Sequence, residues 1–354
     1  MATNDSPLSV AVSRGLSLVL EDAPDPGGVI SNGDTLTRSI SGLGARSVSQ
    51  YEFTTNHIKA ASIGQDSSYG NIKLGKDTYY GGTSSDIDIV TDSERGKVWF
   101  GKSGVDGEFN AALQINFSDI PAQTRVRIAY WIKSDVYAAS PSGQWKMTRF
   151  ASNGTTDPPV VATFNWFGGN GDLVDFKNQE GSDVSYWLNG GAFPDSQDEW
   201  VKYVYEVYTG TQGVEDGAYR IKFITQSGQG QVLSNTSTSG DWPDDLEVYA
   251  DGGRFNRFYI QNYSGNGLGE MDFYHDALVA QVGSWASIEI GNNADYGSCT
   301  ILEDQEILSW SESGGSTDVS FKANIGLLPS GDCTIFYKND AGVVVYSESA
   351  EVSI

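Results

Sequence analysis

The chain has 354 residues, of which 39% are hydrophobic and 12% aromatic, so it can bury a substantial core and is not expected to be disordered. Its 46 acidic and 22 basic residues give a formal charge of −24, and phosphate backbones repel such a surface, which argues against nucleic-acid binding. Two cysteines, Cys299 and Cys333, cannot build a disulfide framework, and no stretch is long and apolar enough for membrane insertion.

Residues 1–45 are poor in aromatic residues and contain turn signals at Asp25 to Gly28 and at Ser31 to Asp34. We expect an N-terminal arm that gains its contacts from the sandwich of the same chain or from another subunit. The apolar stretch Leu16 to Leu20 could add a strand to an exposed sheet edge. The start of the sequence has neither the basic residues nor the apolar core of an export signal. We expect either a signal removed from this sequence or assembly in the cytoplasm, as in a phage virion.

Residues 46–283 contain short aromatic and β-branched runs separated by turns rich in Gly and Asn, which predicts an antiparallel β-sandwich. The clearest strand runs from Arg125 to Lys133, and its polar members Arg127 and Lys133 are expected to be largely exposed. The other face of this strand is expected to be buried, and it comprises Val126, Ile128, Tyr130 and Ile132. The remaining predicted strands are Trp145 to Phe150, Val160 to Phe167, Trp200 to Tyr208, Tyr219 to Thr225, Phe255 to Tyr263 and Met271 to Ala280.

Three segments in this region occur in an order typical of a known fold. They are DEWVKYVYEVYTGTQGVEDGAYRIKF, FNRFYIQNYSG and MDFYHDALVA. A strand that opens with Trp leads to an Asp-Gly turn and another strand, and a final strand carries an Asp before small and apolar residues. This order resembles the second half of a concanavalin-like or laminin-G-like jelly roll. The resemblance implies an all-β fold, but it does not specify a function, because lectins, lyases, hydrolases and virion domains share that fold.

Residues 284–354 form a second predicted unit of short strands, with a hairpin signal at Lys338 to Gly342. The segment resembles the small immunoglobulin-like domains appended to surface and phage structural proteins. Cys299 and Cys333 could face each other across this sandwich, and two buried free thiols are the equal alternative. The predicted architecture is therefore an arm, a jelly roll and an immunoglobulin-like sandwich.

The segment Gly269 to Asp276 resembles the acidic strand of laminarinase-like hydrolases, in which two glutamates act as nucleophile and acid. Glu270 and Asp272 match the first two positions, but His275 stands where the second glutamate is required. Asp276 lies one residue too far along, on the other face of a regular strand. This departure argues against hydrolysis at Glu270.

Alginate-lyase-like enzymes of this fold use a Gln-x-His strand and a Tyr strand to abstract a proton. Tyr259 to Tyr263 resembles the Tyr strand, but neither His57 nor His275 follows Gln-x. A lyase could use the tyrosine alone. Because no complete catalytic set is present, we expect a protein that is not an enzyme.

The polar side chains of two strands are the best candidates for binding, because sugars stack on aromatic rings and accept hydrogen bonds from Arg and amides. The predicted glycan-binding residues are Arg127, Trp131, Lys133, Trp166, Trp187, Arg257, Tyr259 and Gln261. Packing against the rest of the protein is the alternative for each of them. The resemblance also implies one structural calcium ion, with Asp276 as a ligand. A second acidic group comprises Asp86, Asp88 and Asp92, and its spacing does not match a calcium-binding loop.

These features favour a structural protein of a virion surface, such as a capsid decoration, a head fibre or a tail-associated protein, with glycan binding on the jelly roll. Its expected partners are other virion subunits, reached through the N-terminal arm, together with cell-surface or environmental glycans. We expect a homo-oligomer without nucleic-acid or membrane partners. The alternative is a secreted carbohydrate-active enzyme, either a polysaccharide lyase or a glycoside hydrolase, or a carbohydrate-binding module of a marine bacterium.

Overall fold

A computed structural model of the chain describes residues 28–46, 67–69, 72–76, 87–102, 109–134, 144–151, 160–167, 171–177, 183–188, 199–211, 214, 216–233, 255–265 and 272–354. Within these residues the chain is nearly all β, with one short 3-10 helix at Tyr296–Ser298. No helix in the described ranges has the length and apolar character needed to cross a membrane. The predicted all-β fold class is therefore confirmed.

The first twelve strands in chain order are β1 (Val29–Ile30), β2 (Thr35–Ser41), β3 (Ser67–Tyr69), β4 (Ile72–Lys76), β5 (Ile87–Asp92), β6 (Gly96–Lys102), β7 (Phe109–Ile120), β8 (Arg125–Ser134), β9 (Gln144–Ala151), β10 (Val160–Phe167), β11 (Gly171–Lys177) and β12 (Asp183–Leu188). The others are β13 (Val201–Tyr208), β14 (Ala218–Thr225), β15 (Gly228–Leu233), β16 (Phe255–Gly265), β17 (Asp272–Val282), β18 (Ser287–Gly291), β19 (Leu302–Asp304), β20 (Glu306–Ser313), β21 (Ser316–Lys322), β22 (Gly331–Lys338) and β23 (Val344–Val352).

The jelly roll is a sandwich of two sheets, counted over the described strands. The eight-stranded sheet has the order β12-β11-β10-β9-β16-β7-β4-β3, and the seven-stranded sheet has the order β15-β14-β13-β8-β17-β6-β5. Tyr205 of the seven-stranded sheet lies against Phe258 of the eight-stranded sheet, with ring centroids 6.0 Å apart, and both rings are buried. The core of the sandwich therefore lies between these two sheets.

The C-terminal unit is a second sandwich, built from a five-stranded sheet in the order β1-β23-β22-β18-β19 and a three-stranded sheet in the order β2-β21-β20. Phe321 and Tyr337 meet edge to face between the two sheets, at a centroid distance of 6.2 Å. Ile288, Ile290 and Ile335 complete this contact from the five-stranded sheet. The immunoglobulin-like character of this sandwich stays a prediction.

Two strands of the C-terminal sandwich come from the predicted N-terminal arm. β1 pairs in parallel with β23, and β2 pairs in antiparallel with β21 along its whole length. The alternation of Leu36 and Ile40 with exposed polar residues places both side chains in the core. Residues 28–46 therefore belong to the C-terminal sandwich of the same chain, while Leu16 to Leu20 lies outside the described residues.

Strand β8 is buried on both faces, which corrects one sequence-based prediction. The predicted apolar face is confirmed, since Val126, Ile128, Tyr130 and Ile132 are all buried. The predicted exposure of Arg127 and Lys133 is wrong, because the Arg127 side chain is 0% exposed and that of Lys133 only 17%. The physical reason is that the C-terminal sandwich covers the outer face of the seven-stranded sheet. The sheets therefore stack in four layers, with eight, seven, five and three strands.

Both cysteines are free and buried, so the free-thiol alternative is the one that the fold adopts. Cys299 packs with Leu302 and Phe336, whereas Cys333 belongs to the core between the two C-terminal sheets. Burial raises the pKa of each thiol to about 11, so neither forms the reactive thiolate near neutral pH.

Candidate functional site

The outer face of the eight-stranded sheet carries a row of polar positions in register across six strands. Directly opposed residues of an antiparallel pair share a face, so register alone defines this row. The row comprises Gln114, Tyr259, Arg149, Thr163, Asp175 and Ser185. Tyr259 of β16 lies at its centre, directly opposite Gln114 of β7 on one side and Arg149 of β9 on the other.

The neighbouring positions on the same strands show which face this is. Phe258 and Thr148 are buried, and Phe258 contacts the seven-stranded sheet. Because successive residues of a strand alternate between faces, Tyr259 and Arg149 belong to the face that points away from the core. We call this set of six positions the Tyr259 row.

The predicted glycan-binding residues of this sheet divide between the two faces. Arg257 and Gln261 alternate with Phe258 and therefore share the outer face with Tyr259. Trp187 is in register with Leu173 of β11, two residues from Asp175, and lies on that face as well. Trp166 is in register with Asp172. Asp172 lies three residues from Asp175, so Trp166 belongs to the core-facing side of the sheet.

Arg149 and Gln114 were not among the predicted site residues. Both lie more than a hundred residues from Tyr259 in sequence, and only the pairing of β9 and β7 with β16 brings them beside it. A pattern of alternation indicates which residues of one strand share a face. It does not indicate which strand lies next to it, so no local signal identifies this pairing.

The other three predicted glycan-binding residues, Arg127, Trp131 and Lys133, lie on the outer face of the seven-stranded sheet. The C-terminal sandwich covers this face. Arg127 donates hydrogen bonds through Nη2 to Glu289 and to Asp304, each at 2.6 Å. Lys202 forms an ion pair with Asp304 at 2.7 Å. Burial alone would lower the pKa of Arg127, but Asp304 and Glu289 raise it above its ordinary value. Arg127 is therefore a structural cation of the interface.

A second cluster of the same interface centres on Arg95, from the turn between β5 and β6. Its guanidinium forms ion pairs with Asp276 at 2.8 Å and with Glu303 at 2.9 Å. The same group lies over the rings of Trp131 and Trp200, 4.7 and 5.4 Å from their centroids. Trp131, which is 1% exposed, donates a hydrogen bond from Nε1 to Glu303 at 3.0 Å. Burial removes both Arg127 and Trp131 from any glycan surface in this arrangement.

Lys133 lies at the edge of the interface, where its ammonium group forms an ion pair with Asp92. The indole of Trp200 donates to the same carboxylate at 3.3 Å. Burial alone would raise the pKa of Asp92, but the hydrogen bond from Lys133 and those from backbone amides lower it. Asp92 therefore acts as an anion within the interface. The side chains of Asp86 and Asp88 lie outside the described part of the chain.

Asp276 holds the position at which a calcium ligand was predicted. Its carboxylate accepts a hydrogen bond from Arg95 at 2.8 Å and is almost fully buried. Within the described ranges, no group of three or more His, Cys, Asp or Glu side chains is arranged to hold a metal ion. A cation at Asp276 would have to compete with the Arg95 guanidinium, and the calcium site stays a prediction.

The resemblance to the acidic hydrolase strand fails at His275. Glu270 lies outside the described residues, and Asp272 is in register with Lys102 of β6. His275 is opposite Ile132 and Asp276 is opposite Trp131, so the two side chains lie on different faces, as expected. His275 is buried beside Trp99, at a ring distance of 4.6 Å, and burial lowers its pKa to about 3. A neutral imidazole in the core replaces the second carboxylate.

The burial of His275 predicts a stability that falls in acid. The unfolded chain binds a proton at His275 below its ordinary pKa of 6.5, while the folded chain does not until about pH 3. Stability should therefore decrease as the pH falls through this range, by up to roughly 4–5 kcal/mol. Urea unfolding at several pH values measures this loss. His275→Phe should flatten the slope, and equal slopes in the two proteins would contradict the assignment.

Comparisons with known proteins give only structural matches. No protein-family profile and no curated protein matches the chain. A marine PL-14 alginate lyase from Aplysia kurodai matches with a TM-score of 0.42 and 12% identity, over 56% of this chain and 87% of that chain. The alginate lyase vAL-1 from Chlorella virus has a TM-score of 0.38 and 11% identity, over 55% and 88%. An endo-1,3-beta-glucanase from Streptomyces sioyaensis has a TM-score of 0.38 and 12% identity, over 68% and 98%.

At these identities and TM-scores the likeness concerns the general arrangement of the strands and does not extend to a substrate or a mechanism. The matches are consistent with the concanavalin-like jelly roll predicted from the sequence. The prediction that the chain is not an enzyme is corrected here, because the matching structures include alginate lyases and an endo-1,3-beta-glucanase.

Proposed function

We propose that this chain is a carbohydrate-active protein that binds a polysaccharide along the Tyr259 row and acts on it as a lyase. The observation that carries the proposal is the register of Tyr259 directly opposite Arg149. Directly opposed residues of an antiparallel pair have Cβ atoms about 4.5–5.5 Å apart, so a phenol and a guanidinium on the same face can reach one sugar unit.

This pair supports elimination better than hydrolysis. A polysaccharide lyase removes the proton next to a uronate carboxylate and expels the glycosidic oxygen, which leaves an unsaturated sugar. The Tyr259 phenolate would accept that proton and, as the phenol, return it to the departing glycosidic oxygen, while Arg149 would neutralise the carboxylate through charge-assisted hydrogen bonds. Glycoside hydrolysis needs two carboxyl groups flanking the bond, and Asp175 is the only carboxylate of the row.

The polar positions beside the pair would extend the binding surface along a chain of sugars. Arg257 and Gln261 lie two residues to either side of Tyr259 on the same strand, about 6–7 Å from it along the strand. Trp187 lies on the same face at the far strand of the sheet and would offer a ring for stacking. The proposed ligand therefore lies across the strands, from β7 towards β12.

The test is incubation of the protein with alginate and polygalacturonate, followed through the ultraviolet absorbance of unsaturated uronate, and with the neutral glucan laminarin, followed through new reducing ends. We expect turnover of a polyuronate and a loss of about a hundredfold or more in Tyr259→Phe, since the proton acceptor is removed. Tyr186→Phe is the matched control, because Tyr186 adjoins Ser185 on the opposite face of the same sheet. Laminarin cleavage that survives Tyr259→Phe would replace the lyase assignment with hydrolysis, and wild-type inactivity on all three would refute it.

The virion location, the homo-oligomer and attachment to virion subunits through residues 1–45 stay predictions. Residues 28–46 are engaged in the C-terminal sandwich of their own chain. Attachment through the arm would therefore rely on residues 1–27, which lie outside the described residues. A secreted or extracellular location is the alternative that accompanies a polysaccharide-degrading activity.

A further inference from the structure

Basic residues are concentrated on the outer face of the seven-stranded sheet. The chain as a whole carries more than twice as many acidic as basic residues. This face nevertheless holds seven of the chain's 22 basic residues, which are Arg95, Arg125, Arg127, Lys133, Lys202, Arg220 and Lys222. The carboxylates that the jelly roll itself places on this face are fewer, namely Asp88, Asp92, Glu206, Asp272 and Asp276. We call this surface the basic face.

Aromatic rings are interleaved with the cations of the basic face. Trp131 and Trp200 flank Arg95, and the ammonium group of Lys133 lies 5.0 Å from the ring centroid of Trp200 and 5.4 Å from that of Tyr274. Alternating cations and rings are the groups with which proteins recognise charged sugar chains, because a ring stacks on the sugar and a cation binds its anionic group.

The C-terminal sandwich covers the basic face with carboxylates. Glu289 of β18 and Glu303 and Asp304 of β19 are almost fully buried and point at the cations. Asp340, in the loop after β22, pairs with Arg125 at 3.3 Å at the rim. Lys338 is the exception: it is a cation of the sandwich, and its ammonium group lies 3.6 Å from the carboxylate of Glu206 on the jelly roll. The sandwich thus presents to the basic face a row of closely spaced anions, as an acidic polysaccharide would.

The ionic character of this contact affects how readily it can open. The contact also contains apolar packing, of Ile224 against Cys299, Leu302 and Phe336 and of Leu327 against the cluster that contains Trp131 and Trp200. Separating the contact exposes this apolar surface to water, whereas separating the buried ion pairs restores the hydration of every charged group. The desolvation cost of a buried pair nearly cancels its Coulombic attraction, so the ion pairs by themselves add little net resistance to opening. A soluble polyanion can then exchange with the carboxylates of the sandwich without loss of charge pairing.

We propose that the basic face is a second glycan site, for carboxylated or sulfated polysaccharide, which the C-terminal sandwich occupies as an internal competitor. The site lies on the opposite side of the jelly roll from the Tyr259 row and is independent of the lyase proposal. A carboxylated polysaccharide is favoured over nucleic acid, because the groups that face these cations in the closed arrangement are the carboxylates of Glu289, Glu303 and Asp304, which a uronate reproduces and a phosphate backbone does not.

The experiment weakens the internal competitor and measures binding. Glu303→Gln with Asp304→Asn removes two carboxylates from the interface, while Asp318→Asn with Glu312→Gln makes the same change in charge at exposed positions of the same sandwich. Binding to fluorescent heparin is measured by anisotropy, with double-stranded DNA in parallel, and binding to fluorescent polygalacturonate is measured with Tyr259→Phe in every protein, so that the Tyr259 row does not cleave it. We expect the interface variant to bind a polysaccharide about tenfold or more tightly than the wild type and the control, because the closed state no longer reduces the apparent affinity.

Further measurements make the result decisive. Adding Trp131→Ala to the interface variant should weaken the gained binding. In wild-type protein, polygalacturonate or heparin should accelerate amide hydrogen exchange in β18 and β19, because the polysaccharide displaces the C-terminal sandwich. This measurement tests the proposal even if the interface variant does not fold. Equal affinities in the interface and control variants, tighter binding to DNA than to either polysaccharide, or unchanged exchange in β18 and β19 would each overturn the proposal.

Discussion

Arg127→Met is expected to lower the free energy of unfolding by about 3–5 kcal/mol, the usual cost of removing one partner from a buried ion pair. The guanidinium is fully buried and holds two carboxylates, Glu289 and Asp304, each at 2.6 Å. Burial alone would raise the pKa of Glu289, and Lys338 and Arg127 lower it below its ordinary value. Without Arg127, an anion would remain in the interface with less compensation, so the closed arrangement should lose stability. Urea unfolding at neutral pH gives this number.

Arg125→Met is the matched control for this prediction. Arg125 lies two residues away on the same face of β8, but its pair with Asp340 is about one third exposed, with side-chain values of 35% and 29%. Exposed pairs contribute about 0–1 kcal/mol, so this variant should change stability far less. If the two variants lose the same free energy of unfolding, the buried ion pairs of Arg127 do not stabilise the interface more than the exposed pair does. Glu289→Gln in the Arg127→Met background should recover part of the loss, because it removes the less compensated anion while Lys338 keeps Glu206 as a partner.

The difference between Arg127 and Arg125 could not be predicted from the sequence. Period-two alternation correctly divides β8 into two faces, and the buried apolar face follows from it. The pattern does not state what covers the other face. A polar face with Arg, Trp and Lys is compatible both with solvent and with an acidic partner. The partner here is contributed by β18 and β19, which begin more than 150 residues later.

The Tyr259 row shows a similar limit. Alternation in β16 places Arg257, Tyr259 and Gln261 on one face, so the tyrosine of the Tyr259–Arg149 pair could be predicted from one strand. Arg149 enters only through the pairing of β16 with β9, a register that depends on the whole sheet. The fold class was predictable because turns and alternating strands are local signals. The identity of neighbouring strands is not local, and the site depends on it.

The arm was predicted to need contacts from elsewhere, and its role in the C-terminal sandwich leads to the second large effect. A chain that begins at residue 47 should lose the folded C-terminal sandwich, whereas a chain that begins at residue 28 keeps β1 and β2. The lost strands bury Ile30, Leu36, Ile40 and Leu43, each at most 4% exposed. Burying such side chains contributes roughly 1.5–3 kcal/mol each, and the sum rivals the whole stability of a typical domain, about 5–15 kcal/mol.

The loss of Arg38 would add to this effect. Its guanidinium donates to Glu348 at 2.7 Å, and the hydroxyl of Tyr337 donates to the same carboxylate at 2.6 Å. Truncation would therefore leave Glu348 on β23 without its buried cation, at a place where the adjacent sheet edge is also unpaired. Circular dichroism and the unfolding midpoint of the 28–354 and 47–354 chains compare the two states directly.

A peptide of residues 28–46, added in trans, separates loss of these strands from a general effect of truncation. If the strands act through the contacts described here, the peptide should bind the 47–354 chain and restore its unfolding midpoint towards that of the 28–354 chain, since ligand that binds only the folded state stabilises it. A peptide with Leu36→Asp should not rescue, because a carboxylate would enter the core. A peptide with Thr35→Ala should rescue, because Thr35 is exposed on the other face of β2. Equal midpoints for the two truncated chains would show that β1 and β2 are dispensable, and rescue by the Leu36→Asp peptide would show that backbone pairing, without the core contacts, is sufficient.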